Sequence, residues 1–273
     1  MKRKWIGLAA AVAVGIVFAW SLGPSGAALA GDTPYHFGFK KSRNGAPASI
    51  AQEPFRPLVE KHGAIFIGDA ARKSLYLTFD SGYENGFTPK ILDVLKEKRA
   101  PAIFFVTGQY IKEQPDLLRR MAAEGHLIGN HSWSHPDMTT VSNERLKAEL
   151  DKVKEGVAQA AGQKEMKFLR PPRGIFSDRT LAESRRLGYT NVFWSVAYVD
   201  WDTKRQRGAD YAFDQVTSQL HPGAVLLLHS VSKDNADALG RIIDYARSQG
   251  YEFRSLEELV PPAAAPARFL TDL

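Results

Sequence analysis

The sequence predicts an α/β fold, a closed or nearly closed β/α barrel, with an open doubly wound sheet as the second arrangement that fits. Three observations lead there. From Ser74 onward, short apolar, β-branched or aromatic runs alternate with charged stretches of helical periodicity. The repeat length is that of strand, crossover helix and next strand, which implies a mostly parallel sheet with helices outside it. The chain has 273 residues, 44% hydrophobic and 24% charged, enough for one large domain with a sizeable core.

Taken in order, residues 1–30 are a targeting segment. The basic cluster Lys2-Arg3-Lys4 precedes an uncharged run from Trp5 to Leu22, a Gly-Pro-Ser-Gly break and Ala28-Leu29-Ala30. That succession reads as a signal peptide, and the apolar run is long enough that an N-terminal membrane anchor is the alternative. Residues 31–73 are expected to be an irregular lead-in, broken by Pro34, Pro47, Pro54 and Pro57 and pinned to the domain by Phe37, Phe39 and Phe55. The expected strands are Leu75–Phe79, Ala102–Val106, His126–Gly129, Lys167–Leu169, Asn191–Val196, Ala224–Leu228 and Tyr251–Phe253. The expected helices are Gly86–Lys98, Pro115–Glu124, Ser142–Ala161, Asp178–Leu187, Tyr211–Leu220 and Asn235–Ser248. These make residues 74–260 the main domain. The Pro- and Ala-rich stretch 261–273 is expected to be a disordered tail.

Composition excludes several classes of function. Without cysteine there is no disulfide, zinc–thiolate site or thiol nucleophile. The net charge of +6 shrinks once the leader is set aside, leaving 33 basic against 30 acidic residues with no basic run. That excess does not support nucleic acid as a partner, although it suits an anionic polymer such as a cell wall.

Polar residues cluster just past the expected strand ends: Asp80, His131, Arg170, Asp200 and His229. In a parallel β/α fold those ends converge on one site. His131 and His135 stand four apart, so on one helical turn both imidazoles would face a zinc-like cation; capping or surface histidines share that spacing. Asp80 could cap a helix, but Ser81-Gly82 intervenes and a loop carboxylate facing a pocket fits better. His229, after three leucines, could equally be a core histidine. Arg170-Pro171-Pro172-Arg173-Gly174 is a stiff loop with two guanidiniums, and its plainer reading is a surface turn. Trp194 and Trp201 read most simply as packing, with sugar stacking as the other reading.

Five segments in this order, Thr78-Phe79-Asp80, His131-Ser132-x-x-His135, Arg170-Pro171-Pro172-x-Gly174, Asp200-Trp201 and Leu226-Leu227-Leu228-His229, resemble the motifs of the polysaccharide deacetylase (NodB-homology, carbohydrate esterase 4) family. The likeness covers residues 70–260 or so. Thr78–Gly86, the lead-in Tyr35–Lys40, Arg170–Gly174 and Phe193–Ala197 look like the N-acetylmuramic acid deacetylases of spore-forming bacteria. The resemblance implies a distorted (β/α) barrel in a single domain. It also implies an enzyme that removes N-acetyl groups from peptidoglycan glycan strands; the N-terminal segment makes export the expectation, and a monomer is expected. Its place is the cell wall or the outer face of the membrane, and it touches membrane only through the N-terminal segment. By resemblance, His131 and His135 hold a divalent cation of the zinc, cobalt or nickel kind, with Ser81 or water completing the shell. Asp80 is the base, His229 the acid, Asp200 its partner, and Arg170 a wall or brace for Asp80. Arg173, Pro172 and Trp201 contact substrate. The family places a second aspartate where this chain has Ser81, and a hydroxyl is the poorer ligand for a divalent cation.

Overall fold

A computed structural model describes residues 32–260. The expected leader (1–30) and tail (261–273) lie outside the described residues. In chain order the elements are β1 (Tyr35–His36), α1 (Arg56–Lys61), β2 (Ser74–Ser81), α2 (Thr88–Lys98), β3 (Ala102–Val106), α3 (Gly108–Glu113), α4 (Pro115–Ala123) and β4 (Leu127–Asn130). After them come α5 (Asn143–Ala161), β5 (Phe168–Leu169), β6 (Ile175–Phe176), α6 (Asp178–Arg186), β7 (Thr190–Asn191), α7 (Ala209–Thr217), β8 (Ala224–His229), α8 (Lys233–Ser248) and β9 (Glu252–Phe253).

The main sheet runs β7-β5-β4-β3-β2-β8, with β9 also on β2, and its pairings are parallel. From β2 the chain winds in one direction through β3, β4, β5 and β7, and β8 lies on the other side of β2. That order alone fits a doubly wound sheet as well, but Val196, just past β7, bridges Leu226 of β8, so the two ends of the sheet approach each other as in a curled, incomplete barrel. The expected strand Asn191–Val196 is a correction. Regular pairing stops at Asn191, after which Val192 bridges Ile65 and Val196 bridges Leu226 of β8. The segment leaves β5 and crosses to β8, drawing the two sheet ends together.

The two-residue period of the strands divides the core. Leu75, Leu77 and Phe79 of β2, with Phe104, Val106, Leu226 and Leu228, face the helices. Tyr76, Ile103, Phe105, Phe168, Val192 and Val225 fill the barrel interior. Gly129 permits this filling, because a Cβ there would lie 2.6 Å from the Phe105 ring. A third cluster joins the lead-in to the barrel: Phe37 stacks on Phe193 at 4.3 Å between centroids, and Phe55 packs edge-on against Phe176. The stretch before β2 also contains β1, antiparallel to β6, and the short helix α1.

Candidate active site

The same strand parity places the chemistry. Tyr76, Thr78 and Asp80 share the interior side of β2, and Val225, Leu227 and His229 share that of β8. In the β2–β8 register Asp80 and His229 are direct partners, so a carboxylate and an imidazole stand side by side at the carboxyl end of the barrel. Phe168 and Arg170 extend the interior side of β5. Arg170 is fully buried, with its guanidinium 4.3 Å from the Phe105 ring centroid.

A cavity of about 850 Å³ opens above these residues, lined among others by Asp80, His131, His135, Arg173, Trp201 and His229. The other side chains expected at the site lie behind its wall. Arg170 Nη1 donates to Asp80 Oδ1 at 2.7 Å, and its Nε and Nη2 donate to the carbonyls of Val192 and Phe193. Arg170 therefore braces Asp80 and is not itself a cavity wall. Asp200 accepts from His229 Nδ1 (2.7 Å), His229 N (2.7 Å) and Asn235 Nδ2 (2.5 Å). Pro172 is buried beneath the turn and does not line the cavity. Ser81 requires the larger correction. Its parity is that of Phe79, so it faces the helix layer, where its hydroxyl meets Ser230 Oγ at 2.9 Å. It is not in the cavity lining, and the structure does not support it as a metal ligand.

His131 and His135 do meet, but not on a helical turn. Ser132 (φ 62°) and His135 (φ 56°) adopt left-handed conformations that fold the loop back, and the imidazoles stand edge to face with centroids 4.9 Å apart. His131 Nδ1–H donates to Arg170 O at 2.8 Å, which fixes the tautomer and leaves Nε2 with its lone pair, 3.5 Å from Asp80 Oδ2. Burial holds both imidazoles neutral: it lowers His131, and with the neighbouring His131 it takes His135 down to about 4. Two neutral imidazoles with lone pairs free suit a borderline divalent cation. Among the described residues, no three His, Cys, Asp or Glu side chains gather as a complete cage. Such an ion would take the rest of its shell from water or substrate.

The paired groups of the site are shifted in opposite directions. Burial pushes the Asp80 carboxyl up, but Arg170, His131 and His229 outweigh it and hold it below the ordinary carboxylate range. Burial opposes charge on His229 as well, and there the Asp200 carboxylate prevails and raises the imidazole.

Sequence reasoning did not assign Trp133, Tyr83, Tyr198 or Gln109 to the cavity wall, where the structure finds them, and it favoured packing for Trp194, which also lines it. For Trp133 a signal was available: Gly108 comes just after β3, and any Cβ there would overlap the indole. Trp201 is 56% exposed on the rim and Arg173 takes a left-handed backbone (φ 57°) at the cavity edge.

Residues 67–192 match the family model described as polysaccharide deacetylase. The chain is 50% identical over 227 residues to the peptidoglycan-N-acetylmuramic acid deacetylase PdaA of Bacillus subtilis, covering 83% of this chain and 86% of that protein. It is 35% identical over 205 residues to a peptidoglycan-N-acetylglucosamine deacetylase of Bacillus cereus, covering 74% and 73%. The solved structure of Bacillus subtilis PdaA, a family 4 carbohydrate esterase, superposes with a TM-score of 0.81 over 84% of this chain and 97% of that one.

Proposed function

We propose, from the premise that this chain belongs to the polysaccharide deacetylase family, that it hydrolyses N-acetyl groups from peptidoglycan amino sugars, with N-acetylmuramic acid as the favoured residue. The observation that carries the reading is the Asp80–His229 pair, side by side on adjacent strands, with Asp80 held below the ordinary carboxylate range and His229 raised by Asp200. Enzymes of this family generally use a metal. A divalent cation on His131 and His135, zinc-like by the softness of its ligands, would polarise the acetamide carbonyl and acidify the attacking water. Asp80 takes the proton of that water as its oxygen bonds to the carbonyl carbon. The Nε2–H of His229, whose Nδ1–H is committed to Asp200, protonates the sugar nitrogen as the C–N bond breaks. Acetate and the free amine leave. The backbone N–H of Arg173, on the cavity-edge turn, is a donor for the oxyanion.

Substrate preference rests on Arg173 and on the 50% identity to PdaA. A muramic residue without peptide carries a lactyl carboxylate, which a guanidinium can clasp bidentately, and N-acetylglucosamine carries none. Deacetylation leaves an amine beside that carboxylate, the species able to close to the muramic δ-lactam of a spore cortex. The leader supports export, by signal peptide or anchor, to the wall or the outer membrane face; among the described residues no helix is long and apolar enough to cross a membrane. A substrate panel tests the preference. Acetate release is expected to be greatest on peptide-free glycan strands. Faster release from chitin oligomers or acetylated xylan would refute the muramic reading.

A further inference from the structure

We infer that Glu149 of α5 is a positioning residue for the His131–His135 loop, setting from outside it the backbone that aims the two imidazoles. The inference rests on the proposed reading of that pair as metal ligands.

Glu149 is 2% exposed, on a helix whose charge pattern would otherwise put carboxylates in water. Both its oxygens are spent on one loop residue: Ser134 N–H donates to Oε2 at 2.6 Å and Ser134 Oγ donates to Oε1 at 2.9 Å. Arg145, one turn earlier, lies 2.6 Å from Oε1 and offsets the buried charge. Ser134 immediately precedes His135, whose φ of 56° mirrors the 62° of Ser132. Two non-glycine residues in left-handed conformations persist only where their surroundings over-determine them. The bonds from Ser132 N to Asn130 Oδ1 and from His135 N to Ser132 Oγ come from within the same short stretch. Gly108 N–H holds Trp133 O, and Glu149 holds the next residue, where the chain turns toward His135. The anchor is rigid, because Leu146, Leu150, Val153 and Val157, on the adjoining stripe of α5, are buried in the core. A charged acceptor in this desolvated place bonds the Ser134 N–H more strongly than a neutral one. Glutamine could accept from only one of the two donors without turning its amide N–H₂ toward the other.

The test is calorimetric titration of the metal-free protein with zinc alone, beside thermal melts. Glu149→Gln is expected to weaken zinc binding by roughly tenfold or more, the lower end of what outer contacts to metal ligands are worth. Ser134→Ala, which deletes only the hydroxyl bond, is expected to lose a smaller part. Val153→Ala loosens the same helix without touching Ser134, and is expected to lower the melting temperature and leave zinc affinity unchanged. Equal zinc affinity in Glu149→Gln and the unaltered protein, or an equal loss in Val153→Ala, overturns the positioning role alone. Failure of the unaltered protein to bind zinc, or binding that His135→Ala does not weaken, overturns the metal reading and the inference with it.

Discussion

Replacing Asp200 by asparagine changes one atom at the back of the site, and the surrounding hydrogen bonds determine where the new amide points. Oδ2 accepts from two donors, His229 N and Asn235 Nδ2, while Oδ1 accepts only from His229 Nδ1 among the described residues. An asparagine amide N–H₂ at the Oδ2 position would oppose both donors. It is therefore expected to take the Oδ1 position, where the imidazole can yield by moving its proton to Nε2. Nδ1 then accepts from the amide, and protonating it means facing a donor. The imidazolium loses both the charge of Asp200 and its hydrogen bond, a contact worth about 1.5–3 kcal/mol, or roughly one to two pKa units. Burial, which opposes the charge on His229, is left without its chief counterweight. The sign is definite. A raised imidazole works as an acid up to its folded pKa, so removing Asp200 moves the alkaline limb of kcat/KM to lower pH. At neutral pH, turnover is expected to fall by roughly 10–10²-fold, the most that a shift of one to two units can take from the imidazolium fraction. The assay is acetate release from peptide-free glycan strands across pH, with circular dichroism to check the fold. An unmoved alkaline limb, or a rate within a factor of two, would refute the assignment of His229 as the acid.

Other substitutions probe the remaining contacts. Arg170→Met leaves the Asp80 carboxylate buried without its partner and is expected to cost about 3–5 kcal/mol in denaturant unfolding. Because Arg170 helps hold Asp80 low, stability present above the ordinary carboxylate range is lost as pH falls; in the variant, burial raises Asp80 and the acidic limb of activity moves up in pH. Arg173→Ala is expected to reduce kcat/KM on muramoyl substrates far more than on N-acetylglucosamine oligomers, and equal losses would leave Arg173 as scaffold. Prolonged chelation is expected to abolish turnover and added zinc or cobalt to restore it; full activity with no detectable metal would instead make His131 and His135 substrate contacts.

The barrel was legible because its parallel strands are buried on both faces and read as continuous apolar runs, as in Ala102–Val106 and Ala224–His229. The polar residues at the ends of those runs marked the site for the same reason. What the sequence hid depended on contacts far along the chain. The break after Asn191 reflects a switch of partner from β5 to β8, and local propensity in Asn191–Val196 does not record it. Helices α1 and α3 have six residues each, too few to show a period. Motif adjacency placed Ser81 beside the site, whereas strand alternation turns it toward Ser230. The His131–His135 spacing suggested a helical turn, and the left-handed Ser132 and His135 achieve the same convergence in a loop. The helical periodicity of Asn143–Ala161 carries no sign that Glu149 is buried; the loop packed over it does that.

The reaction itself, removal of acetyl groups from muramic residues with Asp80 as the base, is open to a single decisive assay. The purified protein is incubated with peptidoglycan stripped of peptides, with Asp80→Asn in parallel. Acetate released and free amino groups formed on muramic acid are followed together. Acetate and muramic amine are expected in equal amounts from the unaltered protein, with a loss of ~10²–10⁴-fold in the folded Asp80→Asn variant. Acetate without muramic amine, or turnover by Asp80→Asn near that of the unaltered protein, would overturn the assignment.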